Sequence, residues 1–374
     1  MKNNLFLTTI FSLTILISCT SQSSDGIFYD DNNTNRTKEI ESFNNQLYLL
    51  GQHNFKENDI ERTTSILCID TSFKKIWDIH FGNNKTDERF ENFTIDKQGN
   101  LYVTGHNSNS TSALLIKTNS SGQTIWKKEF KNIVSLNQIK LIDDKSIIVA
   151  GIKRFSETEI IRDSSFIQKI DSSGNAIWNT PICKDGGLRF LELSNDKIIF
   201  CLNAGAFNGQ YPNSRLYCLT QNGKIEWSKD LDLTATGIDL GVKAINLKVD
   251  NTGTINVLVQ SHNSYSPKMQ LVQYDTIGNK LKSILCDIQS LNTNNKVQDR
   301  IYLYTGLNLS TPKSSSNGLV IKKDNFGNFY FTLIPTDGKT IYHDFIELNN
   351  SFYIISDVVD NDKHTSKWKI TKSE

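Results

Sequence analysis

The chain has 374 residues, with 41 Lys and Arg against 40 Asp and Glu, for a formal charge of +1. Charge this balanced, with no block of one sign, excludes the basic footprint of a nucleic-acid binder, so no nucleic-acid partner is expected. Plentiful Asn, Ser, Thr and Gly, and almost no helical periodicity after the first residues, point instead to many short strands joined by polar turns.

The chain opens with MKNNLFLTTIFSLTILIS, where Lys2 precedes an apolar run from Leu5 to Ile17. That run is too short to span a bilayer and right for the core of a signal peptide, assigned to residues 1–18. It ends in Leu16-Ile17-Ser18-Cys19, which resembles the lipobox of bacterial lipoproteins. The resemblance implies that Cys19 becomes the mature N-terminus and carries a diacylglycerol thioether and an acylated (palmitate-type) amine. Two or more acyl chains anchor a protein stably where one does not. A membrane partner through the lipid anchor, and an outer-membrane address in a bacterial envelope, are therefore expected. Asp25, Asp30 and Asp31 follow a short polar tether, too dispersed to decide between the periplasmic side and the cell surface.

Two phrases then alternate along the chain. The first begins KEIESFNNQLYLLGQ and returns as FENFTIDKQGNLYVTG, IKLIDDKSIIVAG, LRFLELSNDKIIFCL and VKAINLKVDNTGTINVLVQ, with later copies GLVIKKDNFGNFYFTLI and DFIELNNSFYIIS. The second is ILCIDTSFKKIW, then LLIKTNSSGQTIW, FIQKIDSSGNAIW and LYCLTQNGKIEW, each closing on a Trp. Phe73 stands in the first copy where the others have Gly, and LVQYDTIGNKLK and LIPTDGKTIY put Lys282 and Tyr342 in the Trp column. Each phrase reads as strand, tight turn, strand. Together they make a four-stranded unit about every fifty residues, which is the blade of a β-propeller.

Phe81-Gly82, Asp87-Glu88, DKQGNLYVTG and LIKTNSSGQTIWKKEF resemble the β-propeller repeats of exported bacterial proteins (Bacteroidetes-type), relatives of the quinoprotein-like propellers. The resemblance implies that Trp77, Trp126, Trp178 and Trp227 pack between blades, and it is diagnostic of fold rather than activity. The expected fold is all-β, a β-propeller of four-stranded blades over residues 37–374, with seven blades preferred and six as the alternative. Five blades are clear near 37–81, 88–130, 136–182, 187–231 and 242–287. Arg300–Tyr304 and Leu319–Lys323 are read as inner strands of a sixth. Residues 343–372 would form a seventh that lacks its outermost strand, which GIFYD within residues 19–36 would supply, because an open edge leaves unpaired backbone.

No candidate stands out as catalytic. There is no Gly-x-Ser-x-Gly, no His-Glu-x-x-His and no phosphate loop. No marked carboxylate pair announces itself, and no cofactor is expected. The six cysteines form no Cys-x-x-Cys pair. Cys201 and Cys218 fall on adjacent strands and could pair, though small buried hydrophobes are the simpler reading. His53, His106 and His262 each end the second strand of a blade and are each followed by Asn, a weak metal pattern better read as loop capping. The connections HNFKENDIERTT, KRFSETEIIRDS, NAGAFNGQYPNS and SHNSYSPK are long and irregular, and all emerge at one end of a propeller. They carry Phe55, Phe155, Phe207, Tyr211 and Tyr265, the candidate binding face for an envelope protein or glycan partner. Non-catalytic binding or scaffolding is the function expected, with a carbohydrate-active hydrolase or lyase using the funnel as the alternative.

Overall fold

The computed structural model describes residues 24–29, 35–53, 63–82, 88–107, 112–157, 160–184, 186–194, 196–204, 213–232, 241–250, 252–261, 269–286, 301–307, 317–323, 329–334, 340–349, 351–360, 363 and 365–373. Those residues are all strand, turn or extended chain. The first strand, β1 (Ser24–Phe28), stands apart from the strands that follow it. Blade one is β2 (Arg36–Phe43), β3 (Gln46–His53), β4 (Thr63–Asp70) and β5 (Lys75–Phe81). Blade two is β6 (Glu88–Ile95), β7 (Leu101–Asn107), β8 (Ser112–Thr118) and β9 (Thr124–Phe130). Blade three is β10 (Ile133–Asp143), β11 (Ser146–Glu157), β12 (Ile160–Asp171) and β13 (Ala176–Lys184). Blade four is β14 (Gly186–Ser194), β15 (Lys197–Ala204), β16 (Arg215–Thr220) and β17 (Ile225–Asp230). Blade five is β18 (Val242–Val249), β19 (Ile255–Ser261), β20 (Met269–Tyr274) and β21 (Lys280–Cys286).

The sixth sheet has three strands among the described residues, β22 (Ile301–Leu307), β23 (Asn317–Lys323) and β24 (Phe329–Ile334). The seventh is β25 (Thr340–Leu348), β26 (Ser351–Asp360) and β27 (Thr365–Ser373), with β1 added outside β27. The first strands touch in cyclic order, from β2 through β6, β10, β14, β18, β22 and β25 back to β2. The ring is closed, and its centre is a wall of first strands.

One expectation needs correction here. Tyr342 does not belong to the Trp column: it lies in β25, an innermost strand, opposite Ser356. LIPTDGKTIY therefore joins two blades and is no outer hairpin. Its Thr-Asp-Gly only imitates the turn of the repeat.

The core is a set of wedges between blades. Leu47, Leu49, Leu67 and Ile69 face Tyr353, Ile355, Trp368 and Ile370 of blade seven. The alternate residues Tyr48, Leu50, Ile66 and Cys68 face Phe90, Phe93, Val103 and Ile116 of blade two. Second and third strands are thus covered on both faces, which is why they read as unbroken apolar runs rather than as alternation. Cys201 and Cys218 are free thiols in such a wedge, buried with Val257 and Val272. Burial pushes the Cys218 thiol up to about 12. They act as small hydrophobes.

The Trp column links each blade to the next. Trp126 Nε1 donates to the Ser172 carbonyl at 3.2 Å, Trp178 to Gln221 at 2.9 Å and Trp227 to Thr276 at 3.1 Å. Each acceptor lies in the outer turn of the following blade. The Gly of that turn, with φ +82° at Gly174 and +79° at Gly223, presents bare backbone to the indole. The seam between blades seven and one reverses the sizes. Gly26 of β1 lies against Phe73, whose φ of 67° shows that it occupies the glycine position of the turn.

Candidate functional site

Every inner hairpin carries the same defect. The ladder between first and second strands slips at Thr37/Glu39, Phe90/Asn92, Leu136/Gln138, Leu188/Phe190, Ala244/Asn246, Tyr304/Leu307 and Tyr342/Asp344. A bulge re-aims the side chains beside it. In blades one to three the second strand accommodates it with glycine: a Cβ on Gly51 would lie 2.4 Å from the Arg36 carbonyl, one on Gly105 2.0 Å from that of Arg89, and one on Gly151 2.1 Å from that of Ser135. Beyond the bulge the first strands alternate. Ile40, Phe93, Ile139, Leu191 and Leu247 enter the wedges, whereas Glu39, Glu41, Lys140, Glu192, Lys248 and Asp344 line a central cavity of about 790 Å³.

Pairing in this cavity is uneven. Glu192 Oε1 lies 3.3 Å from Lys248 Nζ and 3.9 Å from Lys140 Nζ, so one carboxylate holds both ammonium groups. Lys38 bridges blades one and two, 2.6 Å from Glu91 and 3.1 Å from the Phe90 carbonyl. Asp344 Oδ2 accepts the Ile40 amide at 3.1 Å. Glu39 Oε2 is shielded from solvent and has no hydrogen-bond partner. Burial, reinforced by Asp344 and outweighing nearby Lys140, pushes the Glu39 carboxyl well above its ordinary value. Burial also raises Glu41 and Asp344. Burial would lower the Lys140 ammonium, but Glu192, Glu41, Glu39 and Asp344 outweigh it and raise it.

At the edge of the same wall, His343 Nε2 lies 2.7 Å from Asp357 Oδ2. The other oxygen of Asp357 accepts the Thr37 amide at 2.7 Å and its hydroxyl at 3.0 Å. Asp357 is 2% exposed and ties blade seven to blade one while it orients the imidazole.

The residues singled out from the sequence fare differently. Cys19, Phe55, Phe207, Tyr211, Tyr265 and His262 lie outside the described residues, and of Phe155 and His53 only the backbone, in β11 and β3, is described. His106 is half-buried in β7, opposite Arg89 and Ala113. Among the described residues no group of His, Cys, Asp and Glu is placed to hold a metal ion. The Asp-containing turns are hairpin turns, in which Asp171 Oδ1 accepts the amides of Ser173 and Asn175 and Asp250 those of Thr252 and Thr254. The expectation of no marked carboxylate pair is corrected by Glu39, Glu41 and Asp344, which come together from opposite ends of the chain. Their signal in the sequence is a charged column in the first strands, at KEIES, IKLID, FLELS, INLKV and DFIEL.

Comparison with known proteins supports the fold. No family model and no curated protein matches the sequence. A polysaccharide lyase, Uly1, is similar in structure at TM-score 0.55 and 8% identity, over 90% of this chain and 89% of that one. The β-propeller domain of the Trilobed protease from Pyrococcus furiosus matches at TM-score 0.51 and 10% identity, over 90% and 93%. The acylaminoacyl peptidase of Pyrococcus horikoshii matches at TM-score 0.52 and 11% identity over 87% of this chain, which spans 49% of that one. The fold is a β-propeller. The Pyrococcus furiosus propeller has an open velcro topology, whereas here β1 pairs with β27 from Ser24–Lys372 to Phe28–Trp368.

Proposed function

We propose that this propeller is a lipid-anchored envelope protein that binds or scaffolds a polar partner, protein or glycan, at its loop-bearing end, without catalysis. The observation that carries the reading is the inequality of the two ends. Turns within hairpins are tight and alike, whereas the chain from His53 to Thr63, Ala204 to Arg215 and Ser261 to Met269 is long and different each time. Those connections contain Phe55, Phe207, Tyr211 and Tyr265, and aromatic anchors on variable loops over a rigid scaffold suit recognition. A photo-crosslinking residue placed at Phe207 or Tyr265 should capture the partner, and one at Ile277, in a tight outer turn, should not. Capture only from Ile277 would overturn the face assignment.

A second reading is favoured by one arrangement, the His343 imidazole oriented by Asp357 beside carboxyls that burial raises above their ordinary values, the group types of general acid and base chemistry. Chain cleavage of an envelope glycan by the wild type, abolished in His343→Ala, would put the carbohydrate-active reading first.

A further inference from the structure

The cavity is lined by seven Asp and Glu against five Lys and Arg, Arg189 and Lys243 among them, so its acids outnumber its cations by two. Four acids, Glu39, Glu41, Glu192 and Asp344, surround Lys140, and Lys140 and Lys248 both lie against Glu192. Among the described residues Glu39, Glu41 and Asp344 form no ion pair, and Glu39 keeps an oxygen that is sheltered from water and unbonded. A buried acceptor in that condition costs free energy unless something donates to it. The flanking neutral groups Gln138 and Asn246 supply no charge. The acids are spread along a cavity of about 790 Å³ and do not converge as metal ligands do. A cation for this wall must therefore bring its own reach and its own N–H groups.

We propose that the central cavity binds an organic cation, a primary ammonium group on an alkyl stem, received by Glu39, Glu41 and Asp344. The ammonium can donate to the unbonded Glu39 Oε2 while Glu41 and Asp344 add their charge, and its carbon stem fits beside Phe190, which lines the same cavity. Glu192 is excluded from this role because Lys140 and Lys248 already occupy it. The source of the ammonium is either a free diamine or a lysine side chain presented by a partner at the loop-bearing end. The inference extends the binding reading above, yet stands or falls on the cavity alone.

Calorimetric titration of the folded protein with 1,4-diaminobutane, with a lysine-rich peptide and with magnesium separates the cases. The diamine should bind, and Glu39→Gln or Asp344→Asn should weaken it about tenfold, the loss expected for one charge-assisted hydrogen bond. Both substitutions replace a buried ionisable carboxyl by a neutral amide, so each variant should melt no lower than wild type at pH 7, which checks its folding. A tighter response to the peptide than to the diamine would assign the ammonium to a protein partner. No response to either amine, affinity unchanged in the Glu39→Gln/Asp344→Asn double variant, or displacement of the diamine by equimolar magnesium would each overturn the site. Retention of an envelope partner through Phe207 and Tyr211 in the face of such a result would leave the binding reading standing and remove the cation site alone.

Discussion

Three side chains show how the residue scale sets stability. Trp178 reaches across to the next blade and donates to the Gln221 carbonyl. Trp178→Phe keeps most of the ring and loses the donor, so it should cost about 1–2 kcal/mol, read as a lower denaturant midpoint at unchanged slope. Glu39 works the other way. Its carboxyl is raised in the folded state, so the native protein binds a proton that the unfolded chain releases near pH 4.3. Stability is then greatest below that pH and falls as pH rises toward the raised folded value, because the native state is the one that holds the proton. Glu39→Gln should remove this loss, with a higher melting temperature than wild type at pH 7 and a difference that shrinks toward pH 4. Equal melting temperatures at pH 7 would mean that Glu39 ionises freely in the cavity. Phe73 is a third case. Replacing it with Gly relieves a left-handed backbone at about 1–2 kcal/mol but empties the contact with Tyr353, whose ring centroid lies 6.2 Å away. For a half-buried ring the two effects nearly offset, and Phe73→Gly should change stability by less than about 2 kcal/mol.

The elements explain what could be read in advance. Turn chemistry and the Trp column are local and repeat, so the blades, the inner strands of the sixth sheet and the strand lent by the N-terminus were readable from the chain. Tyr342 was misplaced because Thr-Asp-Gly mimics the outer turn, while strand order rather than turn type decides where a segment sits. The glycines of LLGQ, VTGH and VAGI repeat just as visibly. Their meaning requires the bulge opposite them, and a bulge is a property of the pair of strands. Gly105→Ala should accordingly destabilise by more than the fraction of a kilocalorie expected from backbone freedom alone, since its Cβ would strike the Arg89 backbone. The seam is the element with most at stake. Besides the β1–β27 ladder it holds Asn35 to Ser366 at 2.8 Å and Trp368 Nε1 to the Gln52 carbonyl at 3.3 Å. Deleting residues 20–32 removes β1, exposes one face of Phe73 and should cost roughly 3–5 kcal/mol, as a severe core mutation does. An unchanged melting temperature would mean that β1 does not hold the ring.

At the scale of the whole molecule, closure makes a rigid ring whose first strands assemble a cavity from residues as distant in sequence as Glu39 and Asp344. That convergence was unreadable from one chain, because the charged column becomes a site only when seven first strands face one axis. The proposed address is set outside the ring. Cys19 lies ahead of Ser24, the first paired residue among those described, so on the proposed lipid anchoring Cys19→Ala should release the protein from membranes while leaving its thermal transition in place. Mass spectrometry of the mature N-terminus should find Cys19 acylated, and an unmodified residue other than Cys19 there would sink the anchor. The central claim, that the loop-bearing end binds a partner, is tested most directly by retention of that partner from envelope extracts on tagged protein. Wild type and Ser172→Ala should retain it equally, and the Phe207→Ala/Tyr211→Ala variant should lose about 2 kcal/mol or more, roughly thirtyfold in affinity, with an unchanged thermal transition. Full retention by the aromatic variant, or loss on Ser172→Ala, would contradict the account.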